Sequence, residues 1–138
     1  MELITDRTEM DVISGTQKGV YSVTDLNRVE NAVKEIGFML SDLGFAVALK
    51  TKTDWSIIND FSINSWPVET QMQRYLSNID AIKKTLSIQI QIPKTMDLLN
   101  WNSANNIERV LQTAYTRIKG IKNSYRYSGE LIAGEDIL

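Results

Sequence analysis

Histidine and cysteine are both absent from these 138 residues. Any chemistry must therefore come from carboxylates, amines, guanidiniums, hydroxyls or amides. Without histidine the chain lacks the usual general base, the commonest metal ligand and the physiological-pH switch. Without cysteine it lacks thiolate nucleophiles, disulfides and thiolate metal sites. A Ser-His-Asp or Cys-His arrangement is impossible. A metal would have to be held by carboxylates alone, which suits calcium or magnesium.

The carboxylates come first. Asp25, Glu30, Glu35 and Asp42 fall on one predicted helix, where Glu30 and Lys34 stand at i,i+4 and can pair. No EF-hand spacing joins them. They read as a solvated face. Gly15 and Gly19 are not followed by Lys-Ser or Lys-Thr, so they form no phosphate loop. The sequence thus assigns no catalytic, cofactor-binding or metal-binding residue, and the expectation is a protein that is not an enzyme and carries no cofactor.

The cations are concentrated near the end of the chain. Arg109, Arg117, Lys119, Lys122 and Arg126 stand against one acid, Glu108, with Tyr115, Tyr125 and Tyr127 interleaved. This is the strongest nucleic-acid feature present. Two facts oppose it. The net charge is −2, and the cations wind around the helix in place of a stripe. They can instead face acids of the first long helix or of a partner.

Trp55, Trp66 and Trp101 all lie outside the apolar seams. Tryptophan is enriched at interfaces, and the alternative is a plug at the end of a bundle. The C-terminus carries Ser-Gly-Glu-Leu-Ile followed by Ala-Gly-Glu-Asp-Ile, which could add to a neighbouring subunit as a strand or simply fray. Candidate interface residues are Tyr21, Trp55, Trp66, Trp101, Tyr127, Glu130, Leu131 and Ile132.

Three predicted helices must position these groups. Over 24–43, Thr24 serves as N-cap, and Leu26, Val29, Val33, Ile36, Leu40 and Leu43 follow at alternating steps of three and four. Gly44 is the expected residue after the C-cap. Over 67–86, Pro67 opens the helix, and Val68, Met72, Tyr75, Ile79, Ile82 and Leu86 repeat the pattern. Over 103–126, Ile107, Leu111, Ala114, Ile118, Ile121 and Tyr125 do so again. Gly37 and Gly120, inside helices, read as close-contact positions. Residues 45–66 form a long connection whose large side chains should pack down. Ser87–Ile92 alternates with period two, as a short strand or an extended link. In residues 1–23 Thr8 can cap a short helix with Met10, Val12 and Ile13 on its apolar side, and Gly15 and Gly19 bracket a break. The predicted fold is mainly α: a three-helix bundle over 24–126, an N-terminal arm over 1–23, and an extended or hairpin tail over 127–138.

One domain is expected at this length. The 43% apolar and 23% charged fractions are ordinary for a soluble globular domain. No apolar run reaches the roughly 18–20 residues of a membrane span, and the N-terminus lacks the pattern of a signal peptide. Synthesis and retention in a cytoplasm are expected, unless the chain leaves in a larger assembly.

Several segments carry a family resemblance as a set. They are Leu3-Ile4-Thr5-Asp6-Arg7-Thr8 with Asp11-Val12, Lys18-Gly19-Val20-Tyr21 and Thr24-Asp25-Leu26-Asn27-Arg28-Val29-Glu30. Further on come Lys52-Thr53-Asp54-Trp55, Met72-Gln73-Arg74-Tyr75-Leu76-Ser77-Asn78-Ile79, Ala104-Asn105-Asn106-Ile107-Glu108 and Tyr127-Ser128-Gly129-Glu130. The chain resembles, over nearly its whole length, small domains of structural proteins from tailed phages and prophages of Gram-positive bacteria. Such domains often have a longer helix before the Lys-Gly-x-Tyr segment, which is short here. The resemblance supplies no catalytic residues. It implies a virion component of the tail, baseplate or neck, made in the bacterial host cytoplasm. Its partners would be other virion proteins or further copies of itself. The alternatives are a small nucleic-acid-binding protein using the basic third helix and a module contacting host-surface glycans through its tryptophans.

Overall fold

The computed structural model describes residues 2–47, 49 and 69–137; the side chains of residues 23, 69, 70, 98 and 125–137 lie outside the description. It is mainly helical. Helix α1 is Glu9–Ser14, α2 is Val23–Asp42, α3 is Glu69–Thr85 and α4 is Trp101–Ile137, with a 3₁₀ turn at Met96–Leu98 before α4. Helices α2, α3 and α4 pack on one another pairwise.

The predicted seams form the core. Leu26, Val29, Val33, Ile36 and Leu40 of α2 are buried with Tyr75, Ile79 and Ile82 of α3 and with Ile107, Leu111, Ala114 and Ile118 of α4. The alternating steps keep one apolar face on each helix turned inward. Each fully buried Leu or Ile contributes about 1.5–3 kcal/mol through area removed from water.

The helix ends follow local chemistry. Thr8 caps α1, and Asp11 accepts from the Thr8 backbone N–H at 2.9 Å, as expected of a capping box. The start of α2 differs from expectation. Its N-cap is Ser22 and not Thr24, because Asp25 reaches back three residues to accept from the Ser22 N–H at 2.7 Å. At the other end Gly44 adopts φ +85°, and Phe45 N–H bonds Leu40 O at 3.0 Å while Gly44 N–H bonds Ser41 O at 3.0 Å. That is a Schellman ending. Helix α3 ends the same way around Ser87, at φ 52°, with Ile88 N–H on Lys83 O at 2.9 Å.

Residues 88–92 form an extended link, not a strand. Ile88 is buried, Ile90 and Ile92 pack partly against the core, and Gln89 and Gln91 are exposed. The period-two pattern therefore reflects one face lying on the helices without a paired neighbour. Phe45, Val47 and Leu49 also pack on the core. Residues 48 and 50–66 of the connection, and the start of the second helix at Pro67, lie outside the described residues.

Four further expectations are corrected. The tail over 127–137 is neither extended nor a hairpin, because α4 continues through it to Ile137. No proline interrupts the segment, and glycines at 129 and 134 cost only about 1 kcal/mol each within a helix that is already nucleated. Helix α4 also begins at Trp101, two residues before Ser103. Gly120 is not a close-contact position, since a Cβ there would meet nothing within 4 Å. At Gly37 a Cβ would lie 2.6 Å from Leu49 Cδ1, so the close neighbour is the connection after α2 and not another helix.

Candidate functional site

Of the four acids expected on a solvated face, Glu35 and Asp42 are exposed, but Asp25 and Glu30 are inside the molecule. Asp25, Glu30 and Glu108 are all buried, as is Arg7 from the N-terminal arm. Helical spacing places them there. Glu30 lies between Leu26 and Val33 on the inner face of α2, and Glu108 lies between Ala104 and Leu111 on α4. Buried charges are tolerated only when paired, and these are paired across the arm and two helices.

Arg7 is the centre of the cluster. Its Nη2 donates to Glu108 Oε2 at 2.6 Å and to Asp25 Oδ1 at 3.2 Å. Its Nη1 donates to Ile4 O at 2.9 Å and its Nε to Lys18 O at 3.1 Å. The Tyr21 ring faces the guanidinium, 5.6 Å from centroid to Cζ. Arg28 completes the set, donating through Nε to Glu108 Oε1 at 2.7 Å and through Nη2 to Asp25. Two guanidiniums thus balance two carboxylates in a site that is buried except at Arg28, whose side chain is 20% exposed.

The backbone of the arm is held by side chains of α4. Asn105 Oδ1 accepts from Arg7 N–H at 2.9 Å, and Asn105 Nδ2 donates to Arg7 O at 2.9 Å. Glu108 Oε1 accepts from Ile4 N–H at 3.0 Å, and Arg109 Nη2 donates to Thr5 O at 3.1 Å. These residues fix the position of α1, which itself buries no side chain.

A second pair lies between α2 and α3. Arg74 Nη1 approaches Glu30 at 3.3 and 3.5 Å, and Arg74 Nε is buried without a hydrogen-bond partner. Glu30 therefore makes one loose ion pair and not the i,i+4 pair with Lys34. Burial pushes its carboxyl up to about 7, and Arg74 offsets only part of that cost. Beside it the Tyr21 and Tyr75 hydroxyls are hydrogen-bonded to each other, and burial raises both phenols above their ordinary range.

Three cations of α4 are engaged within the fold, while Lys122 is exposed and the Arg126 side chain lies outside the description. Arg109 serves Thr5 O, Arg117 donates to Leu86 O, and Lys119 lies over the Tyr115 ring at 4.5 Å. They face neither the acids of α2 nor a single groove. Of the candidate interface residues, Tyr21 turns its hydroxyl inward to Tyr75 and Trp101 is partly exposed at the start of α4. Trp55 and Trp66 lie outside the described residues. Tyr127, Glu130, Leu131 and Ile132 fall on the last turns of α4, with side chains outside the description.

Sequence reasoning missed Arg7, Asn105 and Glu108. A cleft of about 420 Å³ also opens beside Tyr21, between Leu26, Met72, Leu76, Met96 and Leu99. Among the described residues no three carboxylates converge as metal ligands, and no helix is long and apolar enough to cross a membrane.

The arm meanwhile shows an apolar side outward. Met10 is 64% exposed, Val12 46%, Ile13 72% and Val20 54%. Comparison with family models, with curated proteins and with solved structures found no match.

Proposed function

We propose that this chain is a non-enzymatic assembly module of a phage or prophage particle, acting through protein–protein contacts. One observation carries the reading. Among the described residues, four of the six large apolar side chains that are exposed sit between positions 10 and 20. They stand on an arm that buried ion pairs and backbone bonds hold in place. Apolar groups concentrated on a fixed mount are the ordinary makings of a contact surface. The strongest charges, by contrast, are used up within the fold. Arg7, Arg28, Asp25 and Glu108 neutralise one another, and Arg109 and Arg117 serve backbone carbonyls. That arrangement favours a structural part over a nucleic-acid binder.

The partners are further copies of the chain or other virion proteins, in the tail, baseplate or neck. Quantitative mass spectrometry of purified particles tests the assignment. A virion component is present in a fixed multiple of the other structural proteins. Consistent absence from intact particles, with the protein left in the host fraction, contradicts it.

A further inference from the structure

The segment Ile4–Arg7 is held as a bound peptide is held. One amide, Asn105, closes on both backbone groups of Arg7, while Glu108 and Arg109 take the Ile4 N–H and the Thr5 carbonyl. One side chain, Arg7, enters the socket between α2 and α4. The α4 partners lie 98 to 104 positions away in sequence. The socket therefore does not depend on which chain supplies the arm.

Two features suit the arm to exchange. Its two ends are joined to each other, since Arg7 Nε donates to Lys18 O at 3.1 Å and Lys18 pairs with Asp6 at 3.4 Å. An empty socket is also unfavourable. Without Arg7, two buried carboxylates would share Arg28 alone, and a buried uncompensated charge is costly. The socket demands a guanidinium on an extended backbone, and an equivalent arm supplies one.

We infer that residues 2–20 exchange between copies of this chain, with Arg7 of one protomer entering the Asp25–Glu108 socket of another about a hinge at Val20–Tyr21. The contacts made in exchange are those broken, so only hinge strain and association entropy oppose it. A single copy in dilute solution keeps its own arm. Copies crowded in an assembly trade arms and become linked in series. This rests on the assembly reading and names its partner as a second copy. The two fail separately, because substitutions at Met10 and Ile13 disturb outward contacts and leave the socket intact.

The absence of cysteine makes the test direct. One chain carries Thr5→Cys and another Arg109→Cys; both leave the Arg7–Asp25–Glu108 cluster in place, and the second gives up only the Arg109 bond to Thr5 O. They are mixed at high concentration and treated with a short bis-maleimide. Exchange yields a covalent heterodimer that disappears when the Thr5→Cys chain also carries Arg7→Ala. No heterodimer from the mixture, while one chain bearing both cysteines closes on itself, overturns the inference. So does a heterodimer that survives Arg7→Ala. A second readout needs no linker. Arg7→Ala retains a socket and Glu108→Gln retains an arm, so only exchange rebuilds a full clamp. The mixture is expected to unfold above both parents, and a simple sum of the two parental transitions contradicts exchange.

Discussion

Arg7 Nη2 lies 2.6 Å from Glu108 Oε2, and 101 positions of chain separate them. This contact joins the N-terminal arm to the last helix, and both partners are buried. Removing one side of a buried pair strands the other. Arg7→Ala is therefore expected to cost about 3–5 kcal/mol in urea unfolding. Arg7→Lys should recover only part of this, since an ammonium cannot fork between Glu108, Asp25 and the Ile4 carbonyl. A loss below about 1 kcal/mol for Arg7→Ala would show that the pair is not closed in solution.

Asn105 deals mainly with backbone, adding one long bond from Arg7 Nη1 at 3.4 Å. Asn105→Ala removes both bonds to the Arg7 backbone and the longer one from its guanidinium, stranding the N–H and carbonyl of Arg7 at a cost of roughly 2–4 kcal/mol. Proteolysis within residues 2–20 should accelerate before the bundle unfolds. Unchanged protection of the arm would argue that Arg7 alone fixes it.

Glu30 makes stability depend on pH in an uncommon direction. Its folded pKa is about 7 against an ordinary 4.5, because burial outweighs the loose Arg74 pair. The folded state therefore holds this proton more tightly than the unfolded chain. The contribution is fully present below about 4.5 and is lost as pH rises through about 7, a change on the order of 3 kcal/mol. Glu30→Gln should flatten that slope. Asp11 works oppositely: hydrogen bonds from the Thr8 backbone and hydroxyl hold its carboxyl below the usual range, so its contribution is lost in acid. Denaturation midpoints from pH 4 to 8 for both chains check the sign, and identical profiles would refute the assignment.

Ser87 ends α3 in the left-handed region at φ 52°, where a side chain is disfavoured. Ser87→Gly keeps the Ile88 N–H bond to Lys83 O and relieves the strain. A gain of about 0.5–1 kcal/mol in thermal unfolding is expected. Destabilisation would mean that the Ser87 side chain makes a contact outweighing its backbone cost.

Much of the bundle could be read from residue spacing. Leu26 through Leu40, Tyr75 through Ile82 and Ile107 through Ile118 repeat every three or four residues, and burial follows that period directly. The site was harder to read. Glu30 and Glu108 occupy inward positions four residues after one seam residue and three before the next. That placement was the available signal, but their charge argued for solvent. Arg7, the partner of Glu108, sits in a non-periodic arm, where spacing says nothing about packing. Asn105 looked like an ordinary surface amide because its role is to bind backbone, which leaves no sequence pattern. The tail was misread because Gly129 and Gly134 suggested breaks that a helix already 28 residues long by Ser128 absorbs.

The central claim is that a clamped arm presents an apolar face for assembly. Sedimentation velocity across a concentration series tests it most directly, comparing the natural chain with one carrying Met10→Ser and Ile13→Ser. Both side chains are largely exposed, so the paired change should leave stability within about 0.5 kcal/mol per site. The account predicts concentration-dependent association of the natural chain and a markedly weaker association of the variant, which keeps only arm exchange. Two chains that sediment identically as monomers at every concentration would contradict it.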